Sequence, residues 1–494
     1  MQKNKQPLLK IISSLLVLLV FTCPVALADK MQADKKLSAK KISYINAKDT
    51  KAVIRSLSQE TGTGIFLSIT DIHFDPYADT SIVKDLNNNP VSAWPKIFAN
   101  AGDDDASPYG VDAGYVLASS AVKAASNLTR NYDFILYSGD YLSHDFRATY
   151  NQLVGGTSQE FNQFAIKTMR YVSYLLSSQF NGVPIYGTLG NNDAICGDYM
   201  ISPKSPLLMG IAPQWSDLSQ QPDAFTDFTM GGFYKVKHPV VTNHDIIVLN
   251  NIFWSNDYRD SCETSVEHPG DAMMAWLEWQ LYQSNYRGRT TTLLMHVPPG
   301  INAYSSSKGW ANCQDSIQPF WQDRYTTSFL NLLQNYNGVI TNGFTGHTHM
   351  DNFRVISVPQ GNAKLPLHVT PAVSPIFSNN PAFKVVQYDT SNAAILNSLT
   401  FVVSNLEQAS QGQPLKWKIE YVATSAYNLP DLSARSLTTL ASDIVSSETT
   451  RNTFMSYYAA QTPKGGPMTE QNWHAFACAQ TNITKTDFAN CYCK

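Results

Sequence analysis

The chain has 494 residues, a formal net charge of −3 and 15% charged residues. This length is sufficient for a large core and for more than one structural unit. The small net charge excludes a broadly basic nucleic-acid binder and a strongly acidic tail, and the aromatic-rich composition argues against long disordered stretches.

The first 28 residues carry the pattern of a secretory signal peptide. Lys3, Lys5 and Lys10 precede an apolar run at 11–21, and small residues at 26–28 offer a cleavage site. The apolar run is short for a transmembrane span, and no later segment is apolar enough to cross a membrane. We therefore expect a secreted mature chain that begins near Asp29 and is extracellular or periplasmic.

Four regions are predicted along the chain, with bounds at 1–28, 29–62, 63–429 and 430–494. A polar, lysine-rich segment follows the signal peptide. Apolar strand-like runs then start at residues 65, 134, 184, 245, 291 and 338, and helices are predicted at 114–126, 160–178, 272–285 and 317–335. Strands of alternating polarity start at 383, 399 and 415 and would extend or complete a sheet. This alternation predicts an α/β layered domain, followed by a helical, cysteine-containing region at 430–494.

Six cysteines remain after removal of the signal peptide, which predicts disulfide bonds in an exported chain: Cys196, Cys262, Cys313, Cys478, Cys491 and Cys493. Their wide spacing argues against a zinc knuckle and leaves the connectivity open. We predict that Cys262 pairs with Cys313, whereas Cys491 and Cys493 are too close in sequence to bond each other. Glycosylation sequons start at Asn127 and Asn482, which matter only in a eukaryotic host.

Polar residues follow five of the predicted strands. They are Asp71 and His73, then Asp140 and His144, then Asn191, then His296, and finally His347 and His349. Ligands of open α/β sheets bind outside the carboxyl ends of the strands, so we expect one compact polar cluster at one edge of one sheet. Each residue alone is a weak signal, but five strand ends in order indicate a site. The other histidines, including His238, His244, His268, His368 and His474, lack such a pattern and are predicted to be structural or exposed.

Short motifs at these strand ends resemble the signature blocks of the calcineurin-like metallophosphoesterases. They read DIH, GDYLSHD, GNND, HVPP and GHTH. The stretches HVPPGINAYSS, PAVSPIFSNNPAFKVVQYD and YVATSAYNLPDLSARSL are similar to the acid sphingomyelinase-like phosphodiesterase branch. The resemblance runs from about residue 64 to the C terminus. It implies a layered β-sheet sandwich flanked by helices, with a small helical, disulfide-containing C-terminal region.

The resemblance also implies two divalent metal ions, with zinc as the expected metal and iron or manganese as alternatives. The first would be held by Asp71, His73, Asp140 and His349, and the second by Asp140, Asn191, His296 and His347, with Asp140 bridging. Carboxylates, neutral imidazoles and an amide oxygen are suitable ligands for such metals. The implied reaction is in-line attack on phosphorus by a hydroxide that bridges the two ions. No other cofactor is expected.

Two further residues bear on catalysis. His144 matches the family histidine after the Gly-Asp block and would donate a hydrogen bond to the phosphoryl group or the leaving oxygen. Asn192 departs from the family pattern, because most relatives place at this position a histidine that protonates the leaving group. An amide donates hydrogen bonds but cannot release a proton near neutral pH. Since general acid catalysis contributes roughly 10²–10⁴-fold, its loss should be felt most with poor leaving groups such as alkoxides.

The predicted function is an exported, metal-dependent, sphingomyelinase-like phosphodiesterase that hydrolyses small-molecule phosphodiester or nucleotide-type substrates. Activated phosphoesters should be cleaved more readily than sphingomyelin, unless His144 serves as the acid. Contact with lipid would have to come from the catalytic surface, because no saposin-like domain is seen. An endopolyphosphatase or nucleotide pyrophosphatase at the same site is one alternative. A non-catalytic, metal-containing secreted binding protein is another.

Overall fold

The computed structural model describes residues 53–54, 60–102, 105–226, 228–260, 268–309, 312–358 and 364–493. The expected signal peptide and nearly all of the polar segment at 29–62 lie outside this part of the chain. Residues 45–494 belong to one compact unit, and the boundary between 429 and 430 stays a prediction. Among the described residues, no helix is both long and apolar enough to cross a bilayer.

The first of two six-stranded sheets contains the first three strands of the chain. Its spatial order is β12 (Trp417–Val422), β11 (Ile395–Val403), β10 (Ala382–Asp389), β1 (Thr63–Ile69), β2 (Ile135–Tyr137) and β3 (Ile185–Gly187). β1, β2 and β3 are parallel, whereas β10, β11 and β12 extend the sheet in antiparallel pairing. The strands predicted at 383, 399 and 415 therefore complete this sheet, as expected.

The second sheet contains the next strands of the chain. Its spatial order is β4 (Tyr234–Lys237), β5 (His244–Val248), β6 (Thr290–Leu294), β7 (Ile340–Thr345), β9 (Lys364–Val369) and β8 (Asn352–Ser357). The four central strands are parallel, and β4 and β8 are antiparallel edges. β4, β8 and β9 were not predicted, because β4 and β8 are interrupted by charged residues and β9 contains a proline, which usually argues against a ladder strand.

The two sheets pack against each other through aromatic side chains. The Phe66 ring of β1 meets the Phe344 ring of β7 edge to face, with ring centroids 5.3 Å apart. Ser68 and Thr370 share a hydrogen bond of 2.6 Å between their hydroxyl oxygens. The prediction of a cluster at one edge of one sheet is therefore wrong in one respect. The polar strand ends come from both sheets, because β1 to β3 lie in the first sheet and β6 and β7 in the second.

Helices surround the two sheets. They are α1 (Val83–Asn88), α2 (Trp94–Ala101), α3 (Tyr115–Leu128), α4 (Phe146–Leu153), α5 (Ser158–Gln179), α6 (Pro206–Ser219), α7 (Pro269–Tyr286), α8 (Ala303–Ser306), α9 (Asp323–Asn335), α10 (Leu406–Ala409), α11 (Ala423–Ala426), α12 (Ala434–Ser446), α13 (Glu448–Tyr458), α14 (Trp473–Ala479) and α15 (Lys485–Tyr492). The helix predicted at 317–335 begins only at Asp323, because Pro319 and Trp321 form bridges with Ile301 and Ser255 instead. The other three predicted helices agree within a few residues.

One disulfide bond joins the C-terminal helices to the rest of the fold, and a second links two of these helices to each other. Cys313 is bonded to Cys493, and Cys478 is bonded to Cys491. The predicted pairing of Cys262 with Cys313 is therefore wrong, because α15 brings Cys493 to the segment that follows α8. The prediction that Cys491 and Cys493 are not bonded to each other is confirmed. Cys196 is also disulfide-bonded.

Candidate metal centre

The structure brings all seven predicted metal ligands together where the ends of β1, β2, β3, β6 and β7 meet. Asp71, His73, Asp140, His296 and His349 are at most 2% exposed, and Asn191 is 6% exposed. His347 is partly exposed at the rim. Burial of so many polar side chains requires partners that satisfy their charges and lone pairs.

Most of these ligands leave their strands through a left-handed turn. The backbone φ angle is 47° at Asp71, 44° at His73, 58° at Asp140, 67° at His347 and 62° at His349. Such angles are uncommon outside glycine, and strained backbone of this kind concentrates at functional sites. The turns after β1 and β2 support each other, because Asp71 N donates to the Gly139 carbonyl at 3.0 Å and His73 N donates to the Asp140 carbonyl at 3.1 Å.

One group of potential metal-ligand atoms lies around His73. Its Nε2 lies 3.0 Å from His349 Nε2 and 3.3 Å from Asp140 Oδ2. His349 Nε2 in turn lies 3.5 Å from Asp71 Oδ1. These are the four residues that the family resemblance implies for the first metal.

A second group of potential metal-ligand atoms lies around Asn191. Its Oδ1 lies 3.0 Å from His296 Nε2 and 2.9 Å from His347 Nδ1. His296 Nε2 is also 3.2 Å from Asp140 Oδ2. The same carboxylate oxygen of Asp140 therefore faces both groups, as a bridging ligand would.

The chemistry of these contacts fits metal ions. His73 Nδ1 and His296 Nδ1 point at the carbonyl oxygens of Leu142 and Ser138 at 3.0 and 2.7 Å, so both must carry the ring hydrogen. In a neutral ring, each Nε2 then presents a lone pair to Asp140 Oδ2, which is also an acceptor. Lone pairs that face each other at hydrogen-bond distance need a shared cation. In metal-bound histidines the other ring nitrogen typically donates its N–H to a backbone carbonyl, as Nδ1 does here.

A similar argument fixes the orientation of the Asn191 amide. Its Nδ2 donates to Asp198 Oδ1 at 2.7 Å, which turns Oδ1 toward His296 and His347. The amide oxygen thus points into the group of imidazoles as an uncharged ligand. Sequence reasoning missed Asp198, which lies in the loop after the GNND motif.

Burial and charge set the protonation of the cluster. Burial lowers the pKa of His73 to about 4 and holds the pKa of His349 well below its usual value, so both rings are neutral. Burial raises the pKa of Asp71 to about 7. Burial also lowers the pKa of His296, but the charge and hydrogen bond of Asp140 outweigh it and raise that pKa to about 9. A metal ion at this position would therefore replace a proton on His296.

The GNND motif forms the turn that its sequence indicates. Asp193 N donates to the Gly190 carbonyl at 3.2 Å. The buried carboxylate of Asp193 accepts hydrogen bonds from four backbone amides, those of Asp140, Tyr141, Leu142 and Gly190, at 2.7–3.1 Å. Asp193, the last residue of the motif, thus fixes the position of the loop that carries Asp140. The motif alone did not predict this role.

Asn192 lies in the cluster and contacts Asp140. Its backbone N donates to Asp140 Oδ1 at 2.8 Å, and its side-chain Nδ2 donates to Asp140 Oδ2 at 3.1 Å. The side chain is buried and holds the carboxylate that faces both groups. It offers hydrogen bonds there but no transferable proton.

His144 lies beside the first group and is 29% exposed at its side chain. Its ring stacks on His73 with centroids 4.3 Å apart, and the Phe377 ring stands edge-on to it at 5.7 Å. Its Nδ1 lies 3.1 and 3.2 Å from the two oxygens of Asp112, which also accepts from His144 N at 2.7 Å.

Asp112 was missed by sequence reasoning because it follows no predicted strand. Burial raises its pKa, but its interactions with His144 outweigh this and lower it, so the carboxyl stays ionised. Burial likewise lowers the pKa of His144, and the hydrogen bond and charge of Asp112 more than compensate and raise it. The pair therefore favours the protonated form of the His144 imidazole at the edge of the cluster.

Two protein families match this chain. Calcineurin-like phosphoesterase matches residues 66–351. Acid sphingomyelin phosphodiesterase C-terminal region matches residues 363–491. Together they cover most of the two sheets, apart from β8, and most of the C-terminal helical region.

Several curated proteins are similar to this chain. Human acid sphingomyelinase-like phosphodiesterase 3b is 27% identical over 80% of this chain and 82% of its own length. Human cyclic GMP-AMP phosphodiesterase SMPDL3A is 26% identical over 87% of this chain and 90% of its own length. Sphingomyelinase phosphodiesterase D of Dictyostelium discoideum is 27% identical over 70% of this chain and 73% of its own length.

Among solved structures, a dimetal phosphatase from Danio rerio aligns with 68% of this chain and 95% of its own, with a TM-score of 0.40 and 12% identity.

Proposed function

The chain belongs to the calcineurin-like phosphoesterase family, with the acid sphingomyelin phosphodiesterase C-terminal region, and on this premise we propose a metal-dependent, exported phosphodiesterase that prefers activated leaving groups. Family membership makes the chain a hydrolase of phosphoester bonds. The proposal adds which residues bind the metal ions, which leaving groups are preferred, and that the enzyme acts outside the cytoplasm. The observation that carries it is the contact of Asn192, rather than a histidine, with Asp140.

The seven clustered residues would hold two metal ions. Asp71, His73 and His349 would bind one ion, Asn191, His296 and His347 the other, and Asp140 would bridge them. When bound, such ions lower the pKa of a water molecule and neutralise charge on the phosphoryl oxygens. Only two of the seven ligands are carboxylates, so the loaded site keeps a net positive charge, which suits a phosphate diester.

Proton delivery to the leaving group would rest on His144. Asn192 cannot supply the proton, whereas the Asp112 contact raises the pKa of His144 and orients its ring. His144 stacks beside the first metal group, whereas Asn192 contacts Asp140 between the two groups, so the two side chains do not approach the site from the same position. We therefore expect incomplete compensation and a penalty that grows with the basicity of the leaving group.

The names of relatives support a nucleotide-type substrate. SMPDL3A of human and mouse carries the name cyclic GMP-AMP phosphodiesterase. The sugar oxygen that leaves from a cyclic dinucleotide is an alkoxide, as is the leaving oxygen of sphingomyelin, whereas phosphoanhydride and aryl leaving groups are weaker bases. Phosphoanhydride and aryl leaving groups therefore depend less on the acid that this chain lacks.

Substrate profiling tests the proposal. The mature protein is stripped with EDTA, reloaded with Zn²⁺ and assayed on bis-p-nitrophenyl phosphate, a cyclic dinucleotide, ATP, polyphosphate and sphingomyelin in detergent micelles. We expect kcat/KM for bis-p-nitrophenyl phosphate and for ATP to exceed that for sphingomyelin by about 10²-fold or more. Comparable turnover of sphingomyelin would contradict the preference. Rapid cleavage of polyphosphate alone would favour the endopolyphosphatase alternative.

Export is supported by the disulfide bonds, which persist in oxidising compartments. Expression of the full chain with its first 28 residues, followed by N-terminal sequencing of the protein outside the cytoplasm, tests this part. We expect a mature N terminus near Asp29. Retention of the intact chain in the cytoplasm would refute it.

A further inference from the structure

The side chain of Tyr199 contacts the second group of metal-ligand atoms, although Tyr199 is not one of the predicted ligands. Its Oη lies 3.3 Å from His347 Nε2, and the planes of the two rings are nearly perpendicular, with centroids 6.2 Å apart. The other ring nitrogen, His347 Nδ1, lies 2.9 Å from Asn191 Oδ1. The His347 ring therefore stands between Tyr199 and the other ligand atoms of the second group.

The backbone of the loop after the GNND motif holds Tyr199 in place. Tyr199 N donates to the Asn191 carbonyl at 3.0 Å, and the Tyr199 carbonyl accepts from Arg259 N at 3.3 Å. The preceding residue, Asp198, accepts from Asn191 Nδ2 at 2.7 Å. The φ angle of Tyr199 is 59°, and strained backbone of this kind concentrates at functional sites. The loop thus folds back on Asn191 and fixes Tyr199 relative to this ligand.

A tyrosine hydroxyl suits the chemistry of His347. An imidazole that binds a metal is neutral and carries its hydrogen on the nitrogen that does not bind the metal. For His347 this hydrogen would lie on Nε2 and needs an acceptor, which the Tyr199 hydroxyl supplies. When no metal binds Nδ1, that nitrogen can donate to Asn191 Oδ1, and Nε2 then accepts from the same hydroxyl. Because a hydroxyl both donates and accepts, Tyr199 holds the ring in both states.

His347 differs from the other three imidazoles of the cluster in the partner of its second nitrogen. His73 and His296 each direct Nδ1 at a backbone carbonyl. His349 Nδ1 is buried and has no hydrogen-bond partner among the residues that the structure describes. Within the same part of the chain, only the second nitrogen of His347 meets a side chain, that of Tyr199. A single substitution can therefore remove the support of this one ligand and leave the backbone unchanged.

We propose that Tyr199 is a positioning residue for the second metal ion, because it keeps His347 turned toward the ion that Asn191 and His296 would also bind. The inference rests on the metal centre of the proposed function and adds a residue from outside the signature motifs. The hydrogen bonds of Tyr199 to ligand residues involve Asn191 and His347, both of the second group. Its effect should therefore be confined to the second ion.

Zinc binding by the variant Tyr199→Phe tests the proposal. The mature protein is stripped with EDTA, dialysed and titrated with Zn²⁺ against a competing chelator, and bound zinc is measured directly. We expect the first equivalent to bind as in the unmodified protein and the second about 10–100-fold more weakly, which is the typical effect of losing such a partner. Excess Zn²⁺ should restore hydrolysis of bis-p-nitrophenyl phosphate, because the second ion then binds again. The metal-free variant should keep the melting temperature of the metal-free unmodified protein.

Tyr258→Phe is the matched control, since it removes a hydroxyl that donates to the Ile201 carbonyl at 3.2 Å and should change neither zinc affinity. Unchanged affinity of Tyr199→Phe for the second equivalent would overturn the inference. Equal weakening of both equivalents would also overturn it, because that result marks a general loss of the fold. Two zinc ions bound without hydrolysis of any phosphoester would refute the proposed function, whereas selective loss of the second ion in Tyr199→Phe would still support the role of Tyr199.

Discussion

At the scale of single residues, the Asp112–His144 pair is the feature with the clearest chemical consequence. The two oxygens of Asp112 hold His144 Nδ1 at 3.1–3.2 Å and raise the pKa of the ring. A protonated acid acts below its pKa, so activity that depends on His144 should decline as pH rises through that value.

Asp112→Asn should move this decline to lower pH. The substitution removes the negative charge that stabilises the imidazolium, so the pKa of His144 falls and the ring loses its proton earlier. Profiles of kcat/KM against pH, measured for both proteins with the same substrate, check the shift. An Asp112→Asn profile that keeps the alkaline limb in place would show that His144 is not the acid.

Asn192→His should restore a proton donor next to Asp140. We expect kcat/KM for a diester with an alkyl leaving group to rise about tenfold or more, because general acid catalysis matters most there. The aryl diester bis-p-nitrophenyl phosphate should change less than threefold and serves as the matched control. An equal gain on both substrates would point to altered metal binding rather than to proton transfer.

At the scale of elements, the loop after β7 depends on an ion pair that joins the two sheets. Asp351 follows His349 by two residues and accepts from Lys384 of β10 at 2.5 Å and from Thr400 of β11 at 2.8 Å. Tyr421 of β12 donates to it at 2.9 Å. The loop that carries His347 and His349 is thereby fixed to the first sheet.

Asp351→Ala should destabilise the fold by about 3–5 kcal/mol, because it leaves the buried ammonium of Lys384 unpaired. Glu407→Ala is the control, since it breaks a pair with Lys464 whose side chains are 46–49% exposed. That change should cost no more than about 1 kcal/mol. Urea unfolding of the three proteins measures the difference, and equal midpoints would refute the anchoring role of Asp351.

The same elements show what the sequence could predict. β1, β2, β3, β6 and β7 were found because they are apolar runs, and their ligands were found because each follows a strand end. The partition of these strands between two sheets was not found, because it depends on pairings between distant segments such as β1 with β10. Asp112 was not predicted as a site residue for a related reason, since only the folded chain brings it to His144.

At the scale of the whole molecule, two disulfide bonds close loops of very different length in the C-terminal part of the chain. Cys313 and Cys493 are 180 residues apart, whereas Cys478 and Cys491 are 13 apart. Loss of loop-closure entropy in the unfolded chain predicts about 5 kcal/mol for the long loop and about 3 kcal/mol for the short one. Cys313→Ala/Cys493→Ala should therefore lower the urea midpoint more than Cys478→Ala/Cys491→Ala. The reverse order would contradict this account.

Buried histidines outside the metal centre make stability depend on pH. Burial lowers the pKa of His238 to about 4 and those of His244 and His368 to about 3. His238 Nδ1 accepts hydrogen bonds from the backbone amides of Val240 and Val241 at 3.2 and 3.0 Å, which only the neutral ring can do. The stability that these three neutral histidines contribute is fully present above the ordinary histidine pKa of about 6.5. It is lost as the pH falls toward their lowered pKa values.

Between pH 6.5 and pH 5 the loss should amount to about 2 kcal/mol for each of these rings. His238→Asn keeps an acceptor for the two backbone amides but does not titrate in this range. Between pH 6.5 and pH 5, the free energy of unfolding of this variant should therefore decline by about 2 kcal/mol less than that of the unmodified protein. Denaturant unfolding at the two pH values measures this, and parallel declines would show that His238 does not contribute.

The central claim is that seven side chains hold two catalytic metal ions. Titration of the EDTA-stripped protein with Zn²⁺, with bound metal and hydrolysis of bis-p-nitrophenyl phosphate followed together, tests it most directly. The account predicts that activity appears with two equivalents bound per chain, and that Asp140→Ala loses both ions and the activity. Full activity after complete removal of metal, or saturation of activity at a single equivalent, would contradict it.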